Sequence, residues 1–250
     1  MGVIAERRSA AGDHDMMKMS RLAAVIAVAG FAVAASADVV EMKFTGTGQG
    51  RNVKVTIGDK SMGVFAGQLK HTILSGTGLG ADLVGDHLTY CTDLYEYVKS
   101  SPTAYTIVTL PEMPDSSPMG VARAGSVYDL FAWAGGQQFD PAVSKDFAAA
   151  FQIAVWEIVT DYDPSTGGAS LDVTAGALRV KDSGGGPLSS GISGHLAAMF
   201  GAVGADSARR GIVGLRSFGA QDQITVIPAP GPIALVAASL ALAAPRRRNR

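Results

Sequence analysis

Cysteine is almost absent from this 250-residue chain, which carries a single thiol at Cys91. One cysteine excludes an internal disulfide framework, so stability must come from packing, and the lone thiol needs its own explanation. Aromatic residues are sparse at 7% while glycine occurs 31 times, a balance that favours short strands joined by turns. Basic clusters are missing from the body of the chain: they fall around Arg21 and at Arg246, Arg247, Arg248 and Arg250, and the formal net charge is −1. Nothing in that distribution suggests a nucleic-acid partner. Long apolar runs are lacking too. The two apolar stretches, Leu22 to Val33 and Ile233 to Ala244, are each about a dozen residues and would rise ~18 Å as helices, against ~30 Å of bilayer hydrocarbon. They account for the positive mean hydropathy without implying a multi-span membrane protein. No internal repeat is visible, and no pair of carboxylates stands in a setting that suggests glycoside hydrolysis.

What is there begins at the two ends. Met16 to Arg21 is a basic n-region, Leu22 to Val33 an apolar h-region, and Ala35-Ser-Ala37 a small-residue cleavage site before Asp38, the layout of a secretory signal peptide. Glu6, Asp13 and Asp15 precede the basic cluster, which points to a translation start at Met16 or Met17. At the other end Pro228, Ala229, Pro230 and Gly231 are followed by the short apolar segment and the arginine cluster. Terminal arginines stay on the cytoplasmic side, leaving the Pro/Gly motif near the outer face. This tail resembles the PEP-CTERM sorting signal of bacteria. The resemblance implies an exported protein, inserted transiently in the inner membrane and processed by an exosortase-like enzyme. It would reach the cell surface, outer membrane or extracellular matrix. The expected organisation is therefore a signal peptide at 1–37, one globular domain at 38–226 and a sorting signal at 227–250.

Within that domain, strand patterns run over Val39–Phe44, Asn52–Ile57, Gly63–Ile73, His87–Tyr97 and Ala104–Leu110, with turns expected at Gly46–Gly50, Gly58-Asp59 and Gly76–Gly80. Helical periodicity follows Pro118: Val121, Ala124, Val127, Tyr128 and Phe131 share a face, and Gly135-Gly136 supplies a stop. A second helix is expected after Asp140-Pro141, with Asp140 as N-cap and a body from Phe147 to Val159 that is apolar nearly all round, hence buried. A weaker helix is expected from His195 to about Val203, and a closing strand over Gln223–Val226. The expected fold class is β-rich α+β, an antiparallel β-sandwich or barrel with a helical insertion.

Two segments could carry chemistry: Leu88 to Leu94 on a strand, holding Tyr90-Cys91, and Ala148 to Ile158 on the buried helix, holding Gln152 and Trp156. Gln152 is the only polar side chain between Asp146 and Glu157. Such an amide must find a partner or a reaction, since an unpaired buried amide costs about 1–3 kcal/mol. The pairing of Tyr90-Cys91 with Gln152-Ile-Ala-Val-Trp156 resembles the thioester domains of bacterial surface proteins, although Phe151 stands where the best-known members have threonine. The resemblance implies that Cys91 supplies sulfur and Gln152 the acyl carbon of an internal thioester, with Tyr90 and Trp156 packed around the bond. A thioester is a stored electrophile that an amine or hydroxyl can open. Opening consumes the bond once per molecule, so no enzymatic turnover, cofactor or metal is implied, and the function would be covalent attachment to a surface protein or an extracellular polysaccharide. The alternative is a non-reactive matrix or exopolysaccharide-associated protein in which Cys91 and Gln152 only pack.

Other candidates are weaker. His87 lies four residues before Cys91, ~13 Å along a strand and beyond reach for a Cys-His pair, and His71 and His195 have no recognisable context. Asp161 and Asp163 offer oxygen ligands for calcium, but the full loop pattern is missing, so a turn is expected. Trp133, Trp156, Phe131, Phe147 and Phe151 could line a sugar site, yet at helical spacing they read as core.

Overall fold

A computed structural model describes residues 37–205 and 211–227 of the chain. The expected signal peptide up to Ser36, the Pro228–Gly231 motif and the terminal arginines lie outside the described residues. Among the described residues, no helix is long and apolar enough to cross a membrane.

The architecture is the expected β-rich α+β fold, built among the described residues on seven antiparallel strands: β1 (Val39–Ile57), β2 (Lys60–Gly76), β3 (Gly85–Cys91), β4 (Thr103–Val108), β5 (Leu178–Asp182), β6 (Ile212–Arg216) and β7 (Gln223–Val226). Their order is β2-β3-β7-β6-β4-β1-β5, and β1 also pairs with β2. Six strands thus close a barrel-like ring, with β5 added to the far half of β1. β1 can serve three partners because it is long: its first residues, Val39–Met42, pair with β4, its last, Val53–Ile57, pair with β5, and its other edge pairs with β2 throughout.

β1 corrects an expectation. The segments Val39–Phe44 and Asn52–Ile57 are one strand, and Gly46–Gly50 is a series of register shifts within the β1–β2 ladder rather than a turn. The glycines serve close approach instead: Gly67 on β2 has φ +149°, and a Cβ there would press onto the backbone of Gln49 and Gly50. The true hairpin turn is Gly58-Asp59, as expected. β3 stops at Cys91, earlier than the expected Tyr97, and β5 and β6 are additional strands.

Three helices follow: α1 (Gly120–Ala134), α2 (Lys145–Asp161) and α3 (Ser190–Phe200). α1 ends at Gly135 in the left-handed conformation (φ 59°), the stop its sequence announces. α2 is capped not by Asp140 but by Ser144, whose hydroxyl accepts the Phe147 N–H at 3.1 Å. Asp140 instead closes a local turn onto Ala142 N. α3 begins earlier than expected, at a Ser189 cap. Every residue of α2 from Phe147 to Ile158 is buried, so this helix is the centre of the larger hydrophobic cluster. A smaller cluster, with Val40, Met42, Ile73, Leu83, Tyr105 and Leu215, lies apart from it.

Candidate functional site

The site forms where β3 outruns its neighbour. The β2–β3 ladder ends at Leu69–Thr89, two residues before Cys91, while on the other edge Cys91 still pairs with Gln223 of β7. The Cys91 peptide groups facing β2 thus have no strand to bond, and α2 supplies the substitute. Gln152 Oε1 accepts the Cys91 N–H at 2.9 Å, and Gln152 Nε2 donates to the Cys91 carbonyl at 2.8 Å. The carboxamide acts as one more peptide in the ladder, satisfying two buried backbone groups at once. Gln68 does the same nearby, accepting from Gln49 N and donating to the Gln138 and Asp140 carbonyls.

One helical turn beyond Gln152, Trp156 donates its indole N–H to Cys91 Sγ at 3.0 Å, and Sγ lies 3.3 Å from the Asp93 carbonyl. Cys91, Gln152 and Trp156 are all buried. Burial pushes the Cys91 thiol up to about 12, against the Trp156 hydrogen bond, which favours the thiolate. The thiol is therefore protonated at neutral pH. Tyr90 does not share these contacts. Its phenol donates to the Gln138 carbonyl at 2.7 Å and its ring packs against Phe151 (centroids 4.7 Å) and Phe139 (6.0 Å), as alternation along a strand requires of the residue beside Cys91. Phe151, the residue preceding Gln152, thereby ties Tyr90 to α2.

A cavity of about 280 Å³ opens onto the pair, with Cys91, Gln152 and Trp156 in its lining. Its other walls are mostly apolar, including Phe44, Val64, Phe65, Leu69 and Leu94, and Glu96, Tyr97 and Gln221 complete it. A larger space of about 740 Å³, near the Arg51–Asp146 ion pair (2.8 Å), holds none of the three.

The loop after Cys91 is fixed by groups that carry no motif. The Asp93 carboxylate accepts from Tyr95 N and Ser116 Oγ, while Gln221 Nε2 donates to the carbonyls of Asp93 and Glu96. Asp222 accepts from Asp115 N and Ser217 N, and burial raises its carboxyl to about 6. The only sequence signal for Asp93 is an acid immediately after a buried strand. Behind β3, Thr89 donates to Gln223 Oε1 (2.8 Å), so its oxygen must accept from His71 Nδ1 (3.0 Å), which fixes the His71 tautomer. Burial lowers His71 to about 4.

The remaining candidates are structural. His87 bonds the Leu83 carbonyl, and His195 packs edge-on to Phe147. Asp161 caps Ala177 N and Leu178 N, and Asp163 caps Ser165. Among the described residues no cluster of three metal-ligating side chains occurs. Phe131, Phe147, Phe151 and Trp156 are core, and Trp133, partly exposed, stacks on Phe147.

Comparison of the chain with models of known protein families, with curated proteins and with solved structures finds no match.

Proposed function

We propose that this chain is an exported surface or matrix protein, sorted through its C-terminal signal, whose Cys91 and Gln152 join as an internal thioester for covalent attachment. The observation that carries the reading is the seating of the Gln152 carboxamide on Cys91 itself, with the Trp156 N–H on Sγ and a cavity reaching all three. In forming the bond, Sγ attacks Gln152 Cδ, the C–S bond forms, the C–N bond breaks, and nitrogen leaves as ammonia carrying the thiol proton. The Cys91 N–H already on Oε1 is placed to stabilise charge developing on that oxygen. Burial that penalises the thiolate does not penalise the neutral thioester. Placement of the ends is consistent with export: Ala37 is exposed and the first strand begins at Val39, while the last ends at Val226.

A second reading has its own support. The two hydrogen bonds satisfy Gln152 as an intact amide, which is what a purely structural matrix protein would require. The intact mass of the purified, non-reduced 38–226 segment separates the two. A mass one ammonia below the sequence, replaced by a methylamine adduct at Gln152, is expected for the thioester. A full mass with Cys91 alkylated only on unfolding would leave the packed, unreactive protein.

A further inference from the structure

The cavity in front of Cys91 has one charged residue in its lining, Glu96. Its backbone is held, since the Glu96 carbonyl accepts from Gln221 Nε2 at 3.1 Å. Its carboxylate, however, makes no hydrogen bond or ion pair with any described residue. An uncommitted carboxylate on the wall of an otherwise uncharged cavity is arranged for a cation from outside. Resting on the thioester reading, we infer that Glu96 is the group that receives the ammonium of the incoming nucleophile and takes its proton, which makes primary amines the favoured acceptor class. An alkylamine is protonated at neutral pH, with a pKa near that of lysine at ~10.4, and cannot attack until it loses a proton.

The charges facing Glu96 suit this role. Asp93 and Asp115 lie close enough to act on it, with Lys99 opposing and the Tyr105 phenol sensing it in turn. Partial burial, and then the two acids, raise the Glu96 carboxyl, which improves it as a proton acceptor. The steps balance as follows. The ammonium gives one proton to Glu96, the free amine attacks Gln152 Cδ, and a tetrahedral centre forms. Its collapse forms the amide, breaks the C–S bond and sends the second proton to Sγ. Glu96 then releases its proton to water, and Cys91 ends as the thiol that its burial favours.

The test is Glu96→Gln in the exported chain. Intact mass is followed over time with methylamine, which is a cation at neutral pH, and with hydroxylamine, which is already a free base. Glu96 is partly exposed, so the variant keeps the fold. The expected result is a starting mass one ammonia light in both proteins. Opening by methylamine should then be about a hundred-fold slower in the variant, in the range of general base catalysis, with opening by hydroxylamine unchanged. Equal methylamine rates in two ammonia-light proteins would overturn the role of Glu96 alone, as would an equal slowing with both nucleophiles. A wild-type mass equal to the sequence would overturn the thioester reading and this inference with it.

Discussion

Gln152 shows how one side chain can serve two ends. As an amide it completes the hydrogen bonding of Cys91, so Gln152→Ala strips partners from two buried backbone groups and leaves a void. A loss of about 2–5 kcal/mol is expected, from two unsatisfied groups and a cavity, read as a lower urea midpoint. Glu157, next to Trp156, is fully buried, with Oε1 accepting Asp172 N and Oε2 without a partner. Burial raises it to about 7 from an ordinary 4.5. A folded-state pKa above the unfolded one means the native state holds the proton more tightly. Its contribution is complete below pH 4.5 and is lost as pH rises through about 7. His71 runs the other way: lowered to about 4, it costs stability as pH falls below its unfolded value of ~6.5. Urea midpoints at pH 4.5, 6 and 8 should therefore show Glu157→Gln flattening the alkaline limb and His71→Gln the acid limb. At this scale the sequence was most legible for Cys91 and Gln152, because a sole thiol and a sole amide in an apolar helix are conspicuous. Gln68, Glu96 and Gln221 were not, since a polar residue in a strand or loop looks the same whether it faces water or stands in for a peptide.

Among the elements, α2 was readable because burial of every side of a helix leaves an unbroken apolar run. Its start was misread. Asp140 ahead of Pro141 has the chemistry of a cap, but Ser144 is the residue whose hydroxyl meets a free N–H of the first turn. Ser144→Ala should destabilise the protein by about 1 kcal/mol, whereas Asp140→Ala should cost only what an exposed turn contributes; thermal unfolding of the two variants side by side decides it. β1 was misread for a related reason. Glycine marks both tight turns and places where two backbones press together, and the spacing of Gly46, Gly48 and Gly50 does not distinguish them. β5 and β6 carry little of the β-branched alternation that marks Gln223–Val226: β5 has charged residues at three of its five positions, and β6 is interrupted by Gly214.

Across the whole molecule, the last strand lies inside the ring of strands and not at its edge. β7 borders β3 on one side and β6 on the other, and its Gln223 lies opposite Cys91. A chain ending before Gln223 should therefore leave the ring open and expose the thiol, so rapid labelling of Cys91 by iodoacetamide is expected in a 38–222 fragment and slow labelling in 38–226. β7 is also synthesised after every other strand of the ring. In the proposed exported protein, β3 and α2 would therefore cross before the strand that flanks Cys91 on its other edge. On the proposed export route the fold would thus act as a clock, completing the ring around Cys91 only when nearly the whole domain has crossed.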